Sequence, residues 1–402
     1  MYDKASIALI PSGYKSGVVD NLYSVLPSNG NGDFNHSRSS HATRVNKDGL
    51  IESVGYAPRL DYTLTNGVVG DCPHLLLEPN RTNVVPYSEQ FDNSSWGKQE
   101  ITVTANAAIS PDGSQTADKI IPSAVSSTHQ IRYLSLISSQ TCATSVFAKA
   151  DGINTFEILD GSSAVNGASF NLLDGTFTNN GSGVGSMIYY GNGWYRCIVI
   201  SITTGFRIYC PTSATNVSGD GTSGVLLWGA QLEEGSYPTS YIPTSGNAET
   251  RTADTCNNAG TSAEFNDSEG VLFAEVSTNA DSNFKRISIH SGSYVNSVFL
   301  DFDNTNNLYG KVIVGGSAVV TIIASGLNIE NNNKIALSYK ENDFKLFVNG
   351  SKVGTDVTGA TPTGLNNLAF DLGGGQDFYG KCKQLIYFNE ALSDSELQTL
   401  TS

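Results

Sequence analysis

Residues Gly224–Thr244 read GVLLWGAQLEEGSYPTSYIPT. A dense apolar run from Val225 to Leu232 has the length of a strand, and it is followed by a Tyr-Pro, Ile-Pro stutter. Pro238 and Pro243 cannot donate to a β-ladder, so strand pairing must stop before them. The reading is a closing strand of a β-domain, after which the two prolines carry the chain off that domain.

The residues upstream obey the same grammar. EITVTANA, SVFAKADG, TFEILDG, ASFNLLDGTFTNNG, SMIYYGNGWYRCIVIS and FRIYC follow one another from Glu100 to Cys210, between turns rich in DG, NG and GNG. Strands recurring about every ten residues between such turns predict a β-sandwich or jelly roll. In WYRCIVI, Trp194, Ile198 and Ile200 mark one face and Tyr195, Cys197 and Val199 the other, so this strand is expected to lie centrally, covered on both sides. Downstream, KIALSYKENDFKLFVNGSKVGTD alternates with Ile335, Leu337 and Tyr339 inward, resumes with Phe344, Leu346 and Val348, and turns at Asn349-Gly350. Near the end, ALSDSELQTL predicts a short helix: Ser393 and Glu396 form a capping box, with Leu392 and Leu397 as its hydrophobic staple.

The fold class is therefore all-β: two tandem antiparallel β-sandwiches (jelly rolls) after a short β-rich N-terminal segment. The expected divisions are 1–83 for an N-terminal attachment or oligomerisation segment, 84–245 for the first sandwich, 246–261 for a linker and 262–402 for the second. The first segment carries a hairpin in ATRVNKDGLIESV around Asn46–Gly49 but too little apolar material for its own core, so a neighbour is expected to complete it.

Composition narrows the function. The 402 residues carry 23 Lys and Arg against 38 Asp and Glu, a formal charge of −15, with no basic run. That field opposes nucleic acid and anionic membranes, and neither is expected as a partner. The only apolar run near the start, Ile7–Ile10, is far shorter than an export signal or a membrane span, so use without Sec export is expected. The six cysteines show no CxxC or CxH spacing, which argues against zinc and favours buried thiols in a reducing compartment.

Catalytic patterns are weak. Glu233-Glu234 sit on opposite faces of a strand, whereas glycoside hydrolysis needs two carboxylates about 5–9.5 Å apart across the sugar. Asp301 and Asp303 share a face at roughly 7 Å, but Phe299 and Thr305 stand at the flanking alternate positions. This pair reads first as solvated strand-end acids and second as a calcium site, since hard oxygen ligands suit that ion. No GxSxG, HExxH or phosphate loop is present, and most of the five histidines read as surface or turn residues. No enzyme is expected. For sugar stacking, Trp96 in NSSWGK is the best exposed ring; Trp194 reads first as core and second as a stacking ring, Tyr190 is a further candidate, and Trp228 reads as core.

Two resemblances add to this. IALSYKENDFKLFVNGSKV and FYGKCKQLIYFNEALSDSELQTL resemble the concanavalin-like, laminin-G-type jelly roll. CPHLLLEPNRTNVVPYSEQFDNSSWGK, ISPDGSQTADKI, GNGWYRC and LLWGAQLEEGSYPTSYIPT together resemble the carbohydrate-binding-module-like domain of bacteriophage head-spike, head-fibre and tail-fibre proteins, with FNHSRSSHATRVNKDGLIE similar to the short module preceding it. The resemblance implies a virion structural protein made in the host cytoplasm and displayed on head or tail. It implies contact with other virion proteins through the N-terminal segment, a homotrimer, and attachment to host-surface glycan. Its alternatives are a capsid decoration protein that binds no sugar and a capsule-degrading tailspike enzyme.

Overall fold

The computed structural model describes residues 2–13, 21–278 and 284–402. Among them only Asp394–Thr401 forms an α-helix; strands make up most of the rest.

The middle of the chain folds as two six-stranded antiparallel sheets. One runs in the order 97–99, 130–133, 206–209, 155–160, 167–171, 176–180; the other in the order 101–108, 117–122, 224–234, 140–151, 194–203, 184–191. Alternation puts Phe156, Ile158, Phe170 and Ile208 of the first sheet against Ile120, Val146, Cys197, Val199 and Leu227 of the second. Gly224–Glu234 is last in chain order yet lies inside its sheet, between 117–122 and 140–151. Its apolar residues on both faces require that position, because an edge or an uncovered face would leave Leu226 and Trp228 in water.

The Tyr-Pro, Ile-Pro stretch behaves differently from expectation. It does end the ladder, but the chain then folds back over the outer face of the same sheet. Tyr241 packs on Trp228 at 4.7 Å and edge-on to Phe147 at 6.2 Å. Its hydroxyl meets Ser88 Oγ at 2.7 Å and donates to Glu89 at 2.8 Å, while the Ile242 amide donates to Gln231 at 2.7 Å. A second apolar face needs a cover, and the segment bearing the two prolines supplies it. Gly229, at φ +62°, permits the close approach: a Cβ there would sit 3.0 Å from the Phe147 ring and 3.3 Å from that of Tyr241.

The C-terminal residues form a second sandwich. Its five-stranded sheet has the order 317–325, 307–314, 297–302, 285–290, 367–369. The opposing sheet has eight strands, 351–356, 344–348, 333–340, 269–278, 380–388, 74–77, 59–61, with 5–9 also paired to 380–388. Three strands of this sheet thus come from the N-terminal segment. Two of them lie end to end along one edge of Gly380–Phe388, Ala5–Leu9 against residues 385–388 and His74–Leu77 against 380–382. Ile7, Leu9, Leu60, Leu75 and Leu77 join Leu272, Val298, Leu337 and Leu385 in one core. The neighbour that completes the N-terminal segment is the chain's own C-terminal sandwich. Residues 246–261 are likewise engaged: Glu249–Arg251 pairs Arg81–Asn83, and Thr255–Asn257 pairs Phe34–Ser37.

The expected details of the second sandwich are present. Ile335 faces Val348 and Leu337 faces Leu346, and Asn349 and Gly350 take φ of 48° and 76° in the following turn. Ser393 and Glu396 make the reciprocal capping box. Leu392, Leu397 and Leu400 then seal Ala336, Phe347 and Ile386 on the outer face of the eight-stranded sheet.

Candidate functional site

The hairpin Ala42–Val45/Ile51–Val54 lies across the outer face of the middle sandwich. Ile51 packs with Phe147, Trp194 and Trp228, its amide donates to Pro111 O at 3.0 Å, and Thr43 Oγ1 donates to Tyr241 O at 2.5 Å. Because the same segment continues into the C-terminal sheet, the two sandwiches are joined at this point by charge as well as backbone. Glu78 accepts from Arg59 at 2.5 Å, from Ser240 N and Oγ at 2.8 and 2.7 Å, and pairs with Arg251 at 2.9 Å. Asp254 takes Arg38 at 2.8 Å, His36 at 3.2 Å, the Glu78 amide at 2.9 Å, and also Arg59. Burial would raise the Glu78 carboxyl, but Arg251 and Arg59 outweigh it and hold the pKa at about 2. In this buried cluster each arginine has a carboxylate partner, and such charge pairing orients segments rather than performing chemistry.

Three recesses border the hairpin. The first, of about 620 Å³, is lined by Ser39, Ser40, Ser53, Gln90 and Ser245. Tyr56 and His41 stand at its lip, their rings 5.5 Å apart, and Tyr56 is 58% exposed. Glu89 reaches it too, its carboxyl pushed up by burial. The second, of about 610 Å³, lies at the tip of the 184–191/194–203 hairpin and includes Tyr189, Asn192 and Lys149. The third, of about 530 Å³, lies between the sandwiches with Arg196 in its wall.

The residues expected to stack on sugar fall differently. Trp96 is 2% exposed, lying 4.9 Å from Phe91 and 4.3 Å from Tyr133, with its indole N–H donating to Tyr87 O at 3.1 Å. The reading of an exposed ring is corrected: the Asn93–Trp96 turn tucks the indole into the sandwich core, where it excludes water instead of binding a ligand. Trp194 and Tyr190 are brought together on the second recess. Trp194 is only 4% exposed and donates to Ile109 O at 3.2 Å, so its face is not free to stack. Tyr190 is half-buried and edge-on to Phe147 at 5.0 Å; burial raises its pKa, and it lines the third recess as well.

Both readings of Asp301 and Asp303, as solvated strand-end acids and as a calcium site, are also corrected, since both residues are buried. Asp301 is fully buried and bound at both oxygens by Arg286, at 3.0 and 3.1 Å, with Lys311 at 3.3 Å. Two cations already neutralise it and would repel a third. Asp303 accepts from Thr305 N and Oγ1, Asn307 N and Nδ2, and Tyr309 Oη, all at 2.8–3.1 Å. Burial would raise its carboxyl, but these donors hold it well below the usual range. It is a turn brace. Among the described residues no group of three or more His, Cys, Asp or Glu is placed to hold a metal.

Glu233 is buried on Thr239, at 2.8 and 2.7 Å, whereas Glu234 is exposed, so these neighbours do diverge. Against the expectation of surface or turn positions, His74, His129 and His290 are buried, His129 bracketed by two carbonyls at 2.7 and 3.0 Å. His41 is the exposed one. Sequence reasoning missed the Tyr56–His41 pair because its two rings come from different strand ends. The only sequence signal was the lone Tyr in the Gly-Tyr-Ala-Pro turn. All six cysteines are free thiols, and only Cys72 is exposed.

No family model matches the chain, and no curated protein matches it. Among solved structures, the chain is similar to the CBM40 module of the Ruminococcus gnavus IT-sialidase bound to alpha2,3 sialyllactose, at 19% identity over 34% of this chain and 84% of that one, with a TM-score of 0.31. It is also similar to the NanB sialidase from Streptococcus pneumoniae, at 13% identity over 35% of this chain and 25% of that one, TM-score 0.30. The native heptameric SAP-like pentraxin from Limulus polyphemus aligns at 14% identity over 33% of this chain and 70% of that one, TM-score 0.27. Each of these likenesses covers about a third of the chain.

Proposed function

We propose that this chain is a phage virion structural protein, carried on a head or tail fibre or spike, whose β-sandwich surface holds host glycan without cleaving it. The observation that carries the binding part is the groove beneath Tyr56. An exposed phenol ring backed by His41 offers an apolar plate for the face of a pyranose. Ser39, Ser40, Gln90 and Ser245 below it offer the hydroxyl and amide partners that sugar hydroxyls require. Glu89 and Glu249 line the same groove and favour a neutral or amino sugar over an acidic one. Weak contact at each copy suffices, since linked copies raise avidity by roughly 10²–10⁴-fold.

The ordered motifs that resemble phage fibre domains support the virion setting, and a net charge of −15 suits a protein packed at high copy number. Contact with other virion proteins falls to the parts of the N-terminal segment outside the shared sheet, such as the Leu64–Thr65/Val68–Val69 hairpin with Val68 68% exposed. A homotrimer is the expected assembly.

Binding of host surface polysaccharide by the purified protein, lost in Tyr56→Ala at unchanged melting temperature, tests the site. Equal binding by that variant would place the sugar elsewhere. Release of reducing ends during incubation would favour the depolymerase reading, and cryo-electron microscopy of whole particles would locate the chain or remove it from the virion.

A further inference from the structure

Four arginines are buried among the described residues: Arg38, Arg59, Arg196 and Arg251. Three of them share the carboxylates of Asp254 and Glu78. Arg196 differs. It is 6% exposed, its Nη2 donates to Ser145 Oγ at 3.0 Å, and its neighbours are hydroxyls and a ring rather than an acid. Its guanidinium lies 5.5 Å from the Phe147 ring centre; its Nε lacks a partner among the described residues, as do those of Arg59 and Arg251, so what sets Arg196 apart is the missing carboxylate. A buried cation without a counter-charge is costly unless something supplies one.

What Arg196 faces is the recess of about 530 Å³ between the sandwiches, a size suited to a small organic ligand. Phe147, Ile188, Ile198 and Leu77 make its walls apolar, and Tyr190 and Ser186 add hydroxyls to the lining. The other charges that line it are largely committed. Arg44 is held by Glu52 at 2.5 Å, Asp61 accepts from the Val45 amide at 2.7 Å, and Glu78 is held by Arg59 and Arg251. Lys381 and Glu330 are exposed residues of the lining.

We propose that this recess is a second binding site, separate from the Tyr56 groove, for a small carboxylate-bearing ligand of the sugar-acid class held by the Arg196 fork. A planar guanidinium presents paired N–H donors that match a carboxylate. The apolar walls and the two hydroxyls suit the ring and hydroxyls of a sugar acid. The inference rests on Arg196 and does not depend on the glycan reading of Tyr56.

The test is isothermal titration of the full chain with D-glucuronate and, separately, with D-glucose. Saturable binding of glucuronate with glucose at least tenfold weaker is expected. Arg196→Met should weaken glucuronate binding at least tenfold, and Arg196→Lys should restore part of it. Without ligand, Arg196→Met should melt at or above the wild-type temperature, since it removes an unpaired buried charge; a clear fall would assign Arg196 a purely structural role and overturn the proposal. Ser186→Phe, at an exposed wall position that leaves Arg196 in place, should also block binding. Equal affinity for glucose and glucuronate, or no glucuronate binding to the wild type, refutes it.

Discussion

Replacing Glu78 by Gln tests how the two sandwiches are joined. The substitution keeps the shape of the side chain and removes its charge. Arg251 then loses its carboxylate at 2.9 Å, and Arg59 keeps only Asp254. Breaking one partner out of a buried ion pair costs about 3–5 kcal/mol, because the remaining charge stays buried. At about 2.1 cal/mol/K per residue, 402 residues unfold with an entropy near 0.8 kcal/mol/K, so the melting temperature should fall by about 4–6 °C in differential scanning calorimetry. The cluster draws Arg59 and Glu78 from the N-terminal segment, Ser240 from the cover of the middle sandwich and Arg251 from the connection to the second. Both sandwiches should therefore destabilise together. The acid limb gives a second readout. The Glu78 pKa is depressed from 4.5 to about 2 in the folded state, so its contribution, on the order of 3 kcal/mol, is complete above pH 4.5 and disappears as pH falls toward 2. The wild type should lose that stability over this window and Glu78→Gln should not. A variant that melts within about 1 °C of wild type, or lowers one of two separate transitions, would refute the account of a shared buried joint.

Other expectations follow from single sites. Trp96→Ala removes a ring packed against Phe91, Tyr133 and Phe206 and should cost about 3–5 kcal/mol in chemical denaturation; a loss under about 1 kcal/mol would mean the ring is not core. Ser393→Ala deletes the N-cap of the only described α-helix and should speed amide exchange in residues 394–401 by an amount equivalent to about 1 kcal/mol, with exchange in the central strands unchanged. Since Asp301 is neutralised by Arg286 and Lys311, adding calcium and then a chelator should leave the melting temperature where it was. A reversible rise with calcium would contradict that pairing.

The local patterns are readable because they depend on neighbours in sequence. Alternation at Ile335–Tyr339, the Asn349-Gly350 turn and the Ser393–Glu396 box each involve residues a few positions apart, and each appears in place. Trp96 shows where such reading stops. A tryptophan in a polar turn looks exposed, yet the turn folds inward and the ring meets Phe206, more than a hundred positions away. Asp301 and Asp303 stand two positions apart, but their cations and donors come partly from the adjoining strands 285–290 and 307–314. Their spacing alone carries no sign of those partners.

From order and periodicity alone come the all-β class, the turn positions, the short terminal helix and the presence of strands covered on both faces. These are properties of windows of five to fifteen residues, where backbone preference and apolar period act directly. Three features arise only once the chain has closed on itself. They are the assignment of Ala5–Leu9, Arg59–Asp61 and His74–Leu77 to a sheet otherwise built after residue 268, the return of Tyr241 over Trp228, and the separation of Arg196 from the carboxylates that hold the other buried arginines. Edge pairing accepts any strand of suitable length, so which one arrives is decided by the burial gained across the whole molecule. No short window of residues contains that information.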